Sequence, residues 1–170
     1  HLAARAGVLP SLKNPFEYEK TNILGTLNVF ELMKNYTVKH IVLASTSARR
    51  QEILRWLGVP FEIVPSNFDE DAVRFSDFDD PEGYVATIAS GKAYVVSQLH
   101  PNALIIASDT MVYMDGVMYG KPRNLTHARE IMKALSGKTH TVYTAVVMVD
   151  GETGDRRTEI VSSQVIFFPM

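Results

Sequence analysis

The order in which strand-like apolar runs alternate with helical segments constrains this chain more than any other feature. Residues 40–45 (HIVLAS) and 103–107 (ALIIA) are continuous apolar runs, which are typical of strands buried on both faces of a sheet. A third strand is expected at residues 61–64, and helices are expected between these runs at residues 47–57 and 80–99. The alternation predicts an α/β domain.

The second half of the chain predicts antiparallel strand pairs. Asp115-Gly116 lies between two alternating segments within residues 111–119, which is a strong signal for a β-hairpin. A helix with Thr126 as N-cap and Gly137 as its stop is expected next. Two long strands are expected at residues 139–149 and 156–168. The sheet should therefore be mixed and twisted, with helices on its flanks.

The N-terminal 40 residues are expected to form a separate unit packed on a main domain of residues 41–170. Asn14-Pro15 is a typical helix start, with Asn as the N-cap and Pro in the first turn. Ile23, Leu27 and Phe30 then share one helical face. We expect this added N-terminal helix to pack beside the first strand of the sheet.

Composition excludes several classes of protein. The chain is 46% hydrophobic and 21% charged, which is ordinary for a globular domain, and no apolar run is long enough to span a membrane. It contains no cysteine, which excludes a disulfide scaffold and a thiolate site and fits a reducing cytoplasm. The chain opens with His1 and shows no signal-peptide pattern. A net charge of −2 predicts no nucleic-acid partner, so a polyanionic substrate needs a few placed cations.

The segment Ser45-Thr46-Ser47-Ala48-Arg49-Arg50 is the first candidate site. It lies where a buried strand is expected to end and a helix to begin, and the free N–H groups of a helix N-terminus favour an anion. Positive charge in the first turn opposes the helix dipole, so Arg49 and Arg50 are unusual in a purely structural helix. Guanidinium groups that bind phosphate explain them, and two solvated surface arginines are the alternative.

Two acidic segments could bind a metal or accept a proton. Asp69-Glu70-Asp71 follows a strand and offers oxygen ligands for Mg²⁺, although such charge runs are commonly solvated loops. Asp109-Thr110 follows the buried run at residues 103–107, and strand ends of this kind face the ligand crevice of α/β sheets. Asp109 could orient a metal, take a proton from water, or simply cap a turn.

Two lysines could contact phosphate. Lys121 lies in Gly120-Lys121-Pro122 after the hairpin, and Lys92 lies in Ser90-Gly91-Lys92-Ala93 on a predicted helix. Gly120-Lys121-Pro122 does not meet the Walker pattern, and Lys92 alone would be read as an exposed lysine. His140 is read as a strand histidine on a polar face.

Taken in order, six segments resemble the Maf family of nucleotide pyrophosphatases over residues 41–168. They are IVLASTSARRQEIL, LGVPFEIVPSNFDED, ASGKA, ALIIASDTMV, GKP and LSGKTHTVYT. The resemblance implies a Maf/inosine-triphosphatase-like fold. It also implies that the protein is cytoplasmic and forms a homodimer. It also implies cleavage of nucleoside triphosphates to the monophosphate and pyrophosphate with Mg²⁺ or Mn²⁺.

The resemblance also assigns roles to individual residues. It implies phosphate binding by Ser45, Ser47, Arg49, Arg50 and Lys121, and metal binding by Glu70 and Asp109. It makes Asp109, Glu70 and Lys92 the catalytic set. Asp109-Thr110, where other members have Asp-Gln, is similar to the branch that acts on dTTP and UTP, and it implies substrate contact by Thr110.

The chain departs from this family at several points. Ala48 replaces a usual Pro, Ala145 replaces a usual Gly, and a C-terminal segment that helps close the substrate site is expected to be missing after Met170. Residues 1–40 instead resemble an internal piece of the extended short-chain dehydrogenases and UDP-sugar epimerases. The chain therefore reads as a chimera joined at a strand that both families share in pattern.

Three functions are left open by these observations. The leading one is a nucleoside triphosphate pyrophosphatase. The second is a recombined folding module without turnover. The third is a fragment of an NAD-dependent sugar-nucleotide epimerase, although the chain has no G-x-G-x-x-G fingerprint.

Overall fold

The computed structural model describes residues 40–56, 58 and 60–169. The predicted helix after Asn14, the rest of the predicted N-terminal unit up to residue 39, and the predicted helical position of Leu57 lie outside the described residues. The three α-helices and six strands that it describes are β1 (Ile41–Leu43), α1 (Ala48–Trp56), β2 (Glu62–Ile63), α2 (Pro81–Ser97), β3 (Leu104–Met114), β4 (Val117–Tyr119), α3 (Leu125–Leu135), β5 (Thr139–Asp150) and β6 (Arg156–Ile166). Two 3₁₀ turns, Glu70–Ala72 and Phe75–Asp77, connect β2 to α2. None of these helices has the length and apolarity needed to cross a bilayer.

The strands form one mixed sheet, as predicted. Its order is β2-β1-β3-β5-β6, with β4 paired to β3 beside this path. β1 is parallel to both β2 and β3, whereas β4, β5 and β6 are joined by antiparallel pairing. The two-residue turn at Asp115-Gly116 has positive φ at both positions, 51° and 80°, which is the conformation that a tight hairpin requires.

β3 carries the feature that positions the site. β5 pairs with one edge of β3 along residues 104–113. The opposite edge is shared, because β1 pairs with residues 104–106 and β4 pairs with residues 112–114. Residues 107–111 therefore have no strand partner on that edge within the part of the chain that the structure describes. We call this opening the β3 gap.

The core has two layers because the sheet is covered on both faces. Alternate strand residues pack on α2, including Val42, Ala44, Ile105, Ala107, Ala145 and Val147 against Val85, Ala89, Ala93 and Val96. The intervening residues Ile41, Leu43 and Ile106 pack on Leu54 of α1. This alternation confirms that the central strands are buried on both sides, as their continuous apolar runs predict.

Several local expectations are corrected by the structure. Asn124, not Thr126, caps α3, since its side-chain oxygen accepts a hydrogen bond from the His127 N–H at 2.8 Å. His140 is buried rather than polar-facing, and its ring lies edge-on to Phe167. The helix expected at residues 80–99 ends at Ser97, and Leu99 beyond it is 67% exposed.

Candidate active site

Arg50 links the loop after β1 to the β3 gap. One guanidinium nitrogen donates to Ser45 Oγ at 3.1 Å, and the other donates to Thr110 Oγ1 at 3.3 Å. Ser45 is buried, and its Oγ also accepts from the Ser47 N–H at 3.2 Å. Thr110 Oγ1 lies 3.1 Å from Thr144 Oγ1 on the neighbouring strand. The guanidinium group is therefore held in place by hydroxyl groups.

The environment of Arg50 favours an anionic ligand. Burial lowers the pKa of Arg50, and the charges of Asp109 and Glu70 oppose this effect. Among the described residues, no carboxylate forms a hydrogen bond or ion pair with Arg50. Because the partners of Arg50 are neutral hydroxyl groups, its positive charge is not neutralised and its other N–H groups can still donate hydrogen bonds. A planar guanidinium group pairs readily with phosphate.

Lys92 forms the second part of the site. Its ammonium group lies 2.7 Å from Asp109 Oδ1 and 3.0 Å from Glu70 Oε1. The side chains of Lys92 and Asp109 are only 12% and 9% exposed, whereas that of Glu70 is 50% exposed. One cation therefore holds two carboxylates together, one of them buried and one facing solvent.

Glu70 reaches Lys92 because the loop after β2 packs on α2. The Phe68 ring lies against Gly91, so closely that a Cβ at Gly91 would overlap it. Gly91 and Lys92 are neighbours on α2, so the same contact places the following 3₁₀ turn beside Lys92. Asp69 begins that turn by accepting from the Asp71 N–H at 3.2 Å. Of the three predicted acids, Glu70 alone pairs with Lys92, while Asp69 is a cap.

The two clusters approach β3 from opposite faces. Asp109 alternates with Ala107 and therefore lies on the α2 face, whereas Thr110 lies on the α1 face beside Arg50. The shared edge between them is the β3 gap. The clusters meet at this edge because Asp109, which contacts Lys92, and Thr110, which contacts Arg50, are adjacent residues of β3. The arrangement thus brings two cations and two carboxylates to one opening.

Arg49 and Lys121 are less directly placed. Both are exposed, and within the described ranges neither forms a hydrogen bond or ion pair with the clusters. Arg49 lies in the first turn of α1. Gly120, the residue after β4, lies next to Met111, which is part of the β3 gap. Lys121 follows Gly120 and is therefore close to the β3 gap in the chain. Their phosphate-binding roles are still predictions.

The structure also corrects the expected position of Asp109 relative to its strand. The sequence suggested a strand end followed by a separate hairpin arm, but β3 runs without interruption from Leu104 to Met114. Asp109 lies in the middle of this strand, within the stretch that has no strand partner on one edge because β1 ends early. The sequence reading also missed Thr144, whose position opposite Thr110 depends on the β3–β5 register. The sequence did offer one sign of Thr144, because this residue ends LSGKTHTVYT, one of the six segments that resemble the Maf family.

Tyr84 is a further residue near the acids that the sequence did not single out. Its hydroxyl lies 3.5 Å from the Val73 carbonyl, and its ring packs edge-on to Phe75 and Phe78. Burial raises the pKa of Tyr84, and the nearby charges of Asp109, Glu70 and Asp71 raise it further. Tyr84 therefore remains a neutral phenol within this aromatic cluster.

The residues present fit a divalent metal. Asp109 Oδ2 is buried and has no hydrogen-bond partner, so one oxygen of this carboxylate has unused acceptor capacity. Glu70 offers a second carboxylate from the solvent side of the same cluster. Carboxylate oxygens are the ligands that Mg²⁺ and Mn²⁺ prefer.

Comparison with known proteins identifies relatives of most of the described chain. A family model described as Maf-like protein matches residues 40–170. Proteins called dTTP/UTP pyrophosphatase are 42% identical in Syntrophus aciditrophicus, 41% in Clostridium novyi and 40% in Bacillus mycoides. The matches cover 75%, 75% and 72% of this chain, and 60%, 66% and 64% of the respective relatives. The chain thus spans less than two thirds of the length of these relatives.

Two other similarities concern the N-terminal segment and the fold. A model described as GDP-mannose 4,6 dehydratase matches residues 1–49 and overlaps the first match at residues 40–49, which confirms the twofold resemblance. The overlap contains β1 and the start of α1. The Staphylococcus aureus Ham1 protein, a solved structure, is 12% identical with a TM-score of 0.44, covering 75% of this chain and 71% of that one.

Proposed function

The chain belongs to the Maf-like protein family, and on that basis we propose that it is a nucleoside triphosphate pyrophosphatase. The observation that carries the proposal is the convergence of Arg50 and Lys92 with Asp109 and Glu70 at the β3 gap. Two cations suit a polyphosphate, and two carboxylates suit a metal and a proton acceptor. The names of the relatives support pyrimidine triphosphates, dTTP and UTP, as substrates.

Binding begins with the cations. Arg50 is already oriented by Ser45 and Thr110, so it can bind a phosphate oxygen with little further ordering. Lys92 would contribute a point charge from the other face of β3. Arg49 and Lys121, both exposed beside this region, would neutralise the distal phosphates. Ser45 and Ser47 at the start of α1 add donors for the same anion.

Glu70 and Asp109 are the residues that would hold Mg²⁺ or Mn²⁺. When bound, the ion would polarise phosphate oxygens as a Lewis acid. The Asp109 carboxylate would accept the proton of the attacking water. The water oxygen bonds to the α-phosphorus as the bond to the bridging α–β oxygen breaks. The products are the nucleoside monophosphate and pyrophosphate, whose charge Arg50 and Lys92 would stabilise.

A second candidate is a recombined module without turnover. It is favoured by the match of residues 1–49 to a different family model. Such a chain would fold and could bind phosphate at Ser45 and Arg50, but it would not release pyrophosphate repeatedly. We also propose, from family resemblance alone, that the protein is cytoplasmic and homodimeric and that residues 1–40 form a unit packed on the main domain.

Pyrophosphate release from a panel of triphosphates with Mg²⁺ tests both candidates. We expect multiple turnovers by the full chain, with dTTP and UTP preferred. Asp109→Asn should lower kcat by about 10²–10⁴-fold, since it removes a general base. Asp79→Asn, an exposed acid before α2, is the matched control and should keep full activity. Equal rates for both variants would overturn the role of Asp109, and no turnover by the wild type would favour the inactive module.

A further inference from the structure

A second group of metal-ligand side chains lies at the opposite end of the parallel strands. His40 immediately precedes β1, Glu62 is the first residue of β2, and His100 lies in the turn between α2 and β3. The parallel register pairs Val42 with Glu62, which brings the starts of β1 and β2 together. One ligand atom from each of the three residues lies within 4.8 Å of the others.

The contacts among these residues go beyond a surface ion pair. His40 Nε2 lies 2.9 Å from Glu62 Oε2, and the two side chains are about half exposed, at 46% and 50%. An exposed ion pair of this kind contributes little to stability and requires no third partner. Here the His100 ring is also directed edge-on toward His40, with centroids 6.2 Å apart. An open cavity of about 230 Å³ adjoins both histidines and is lined by His40, Leu99, His100, Pro101, Asn102 and Ala103.

We propose that His40, Glu62 and His100 form a Zn²⁺ site. Two imidazole nitrogens and one carboxylate oxygen are a common protein donor set for zinc, and the fourth position is then left for water. The set differs from the Glu70–Asp109 pair, whose oxygen-only ligands suit Mg²⁺. The adjoining cavity gives the ion a route from solvent.

This site would act on stability rather than on the reaction. His40 and Ser45 lie at opposite ends of β1, up to about 16 Å apart at about 3.3 Å per extended residue. An ion bound by the three side chains would connect β1, β2 and the α2–β3 turn. A ligand that binds only the folded state stabilises it in proportion to the logarithm of its concentration above Kd. The proposal therefore does not depend on the pyrophosphatase activity.

Calorimetric titration of the chelator-treated full chain with ZnCl₂, without nucleotide, tests the proposal. We expect one ion bound at this site and a rise in Tm. His100→Ala and Glu62→Gln should each weaken binding at least about tenfold, since even outer-shell partners of a metal change affinity about 10–100-fold. His127→Ala, on α3, is the matched histidine control and should bind zinc as the wild type does.

A second variant separates this site from the proposed active site. Asp109→Asn should leave the zinc affinity unchanged, while it lowers pyrophosphate release. The proposal is overturned if His100→Ala binds zinc as tightly as the wild type, or if Asp109→Asn abolishes binding. Circular dichroism and zinc-free melting of each variant exclude loss of fold as the cause.

Discussion

Asp109 and Thr110 are adjacent in β3, yet their side chains contact different cations on opposite faces of the sheet. Asp109 accepts from Lys92 of α2, whereas Thr110 accepts from Arg50 of α1. Strand pleating imposes this separation, because successive side chains point to opposite faces. The two halves of the site can therefore share a ligand only at the β3 gap.

Lys92 should contribute strongly to the stability of the folded chain. Replacing it with Met leaves the buried Asp109 carboxylate without its cation, and loss of one partner of a buried pair lowers the free energy of unfolding by about 3–5 kcal/mol. Urea denaturation should show this loss, and the double variant Lys92→Met/Asp109→Asn should be destabilised by less than the sum of the single changes. Lys133→Met, at an exposed position on α3, should change stability little. Additive energies would contradict the coupling.

Gly91→Ala should reduce activity by displacing Glu70. The added Cβ would overlap the Phe68 ring, and overpacking of this kind costs about 1–3 kcal/mol. Once Phe68 moves, the turn that carries Glu70 no longer packs beside Lys92. We expect reduced kcat in the pyrophosphate assay, together with a lower Tm.

The same helix supplies the control for this variant. A Cβ at Gly83 would lie 3.5 Å from the Phe78 ring, which is an ordinary contact. Gly83→Ala should therefore be tolerated. Adding Phe68→Leu to Gly91→Ala should restore part of the lost activity, because the smaller side chain relieves the overlap. Full activity in Gly91→Ala alone would show that this packing does not position Glu70.

Arg50→Lys should weaken substrate binding although the charge is retained. The guanidinium group bridges Ser45 and Thr110, and an ammonium cannot reproduce this planar two-point contact. A hydrogen bond to a charged group contributes about 1.5–3 kcal/mol, so kcat/KM should fall by about 10–100-fold. Steady-state kinetics with dTTP measures this change. Arg55→Lys, which alters only an exposed contact with Gln51, should match the wild type.

His140 should make the fold less stable in mild acid. Burial lowers the pKa of His140, so the folded chain holds the neutral imidazole, and the unfolded chain takes up a proton more readily. The stabilising contribution is therefore present above the unfolded pKa of about 6.5 and is lost as pH falls below it. Melting between pH 7.5 and 5 should show a steeper loss of Tm in the wild type than in His140→Leu. Parallel curves would contradict this assignment.

Local patterns predicted most elements of the described fold. The apolar runs gave the two-sided burial of β1 and β3, and Asp115-Gly116 marked the hairpin. The helix expected from residue 80 begins at Pro81, with Asp80 as its N-cap, since the Asp80 side chain accepts from the Gly83 N–H at 2.7 Å. The prediction that Thr126 caps α3 was wrong, because Asn124, two residues earlier, is the N-cap instead.

The site was harder to predict because its geometry depends on non-local pairing. Lys92 looked like an exposed helix residue, and only the packing of α2 on β3 places its ammonium group at Asp109. Thr144 becomes relevant only through the β3–β5 register. The β3 gap depends on where β1 and β4 end, and sequence patterns locate such ends to within a few residues only.

The gap in the strand pairing also affects how mutational scans of this protein should be interpreted. Leu104 donates its N–H to His40, and Ile106 accepts from Ala44, so the even-numbered residues direct their peptide groups to that edge. By the same alternation, Ser108 and Thr110 present main-chain donors and acceptors to the β3 gap. Side-chain replacement leaves these groups intact. If a variant with several of these side chains replaced still turns over substrate, the remaining activity would therefore measure what the main-chain groups of β3 contribute to catalysis.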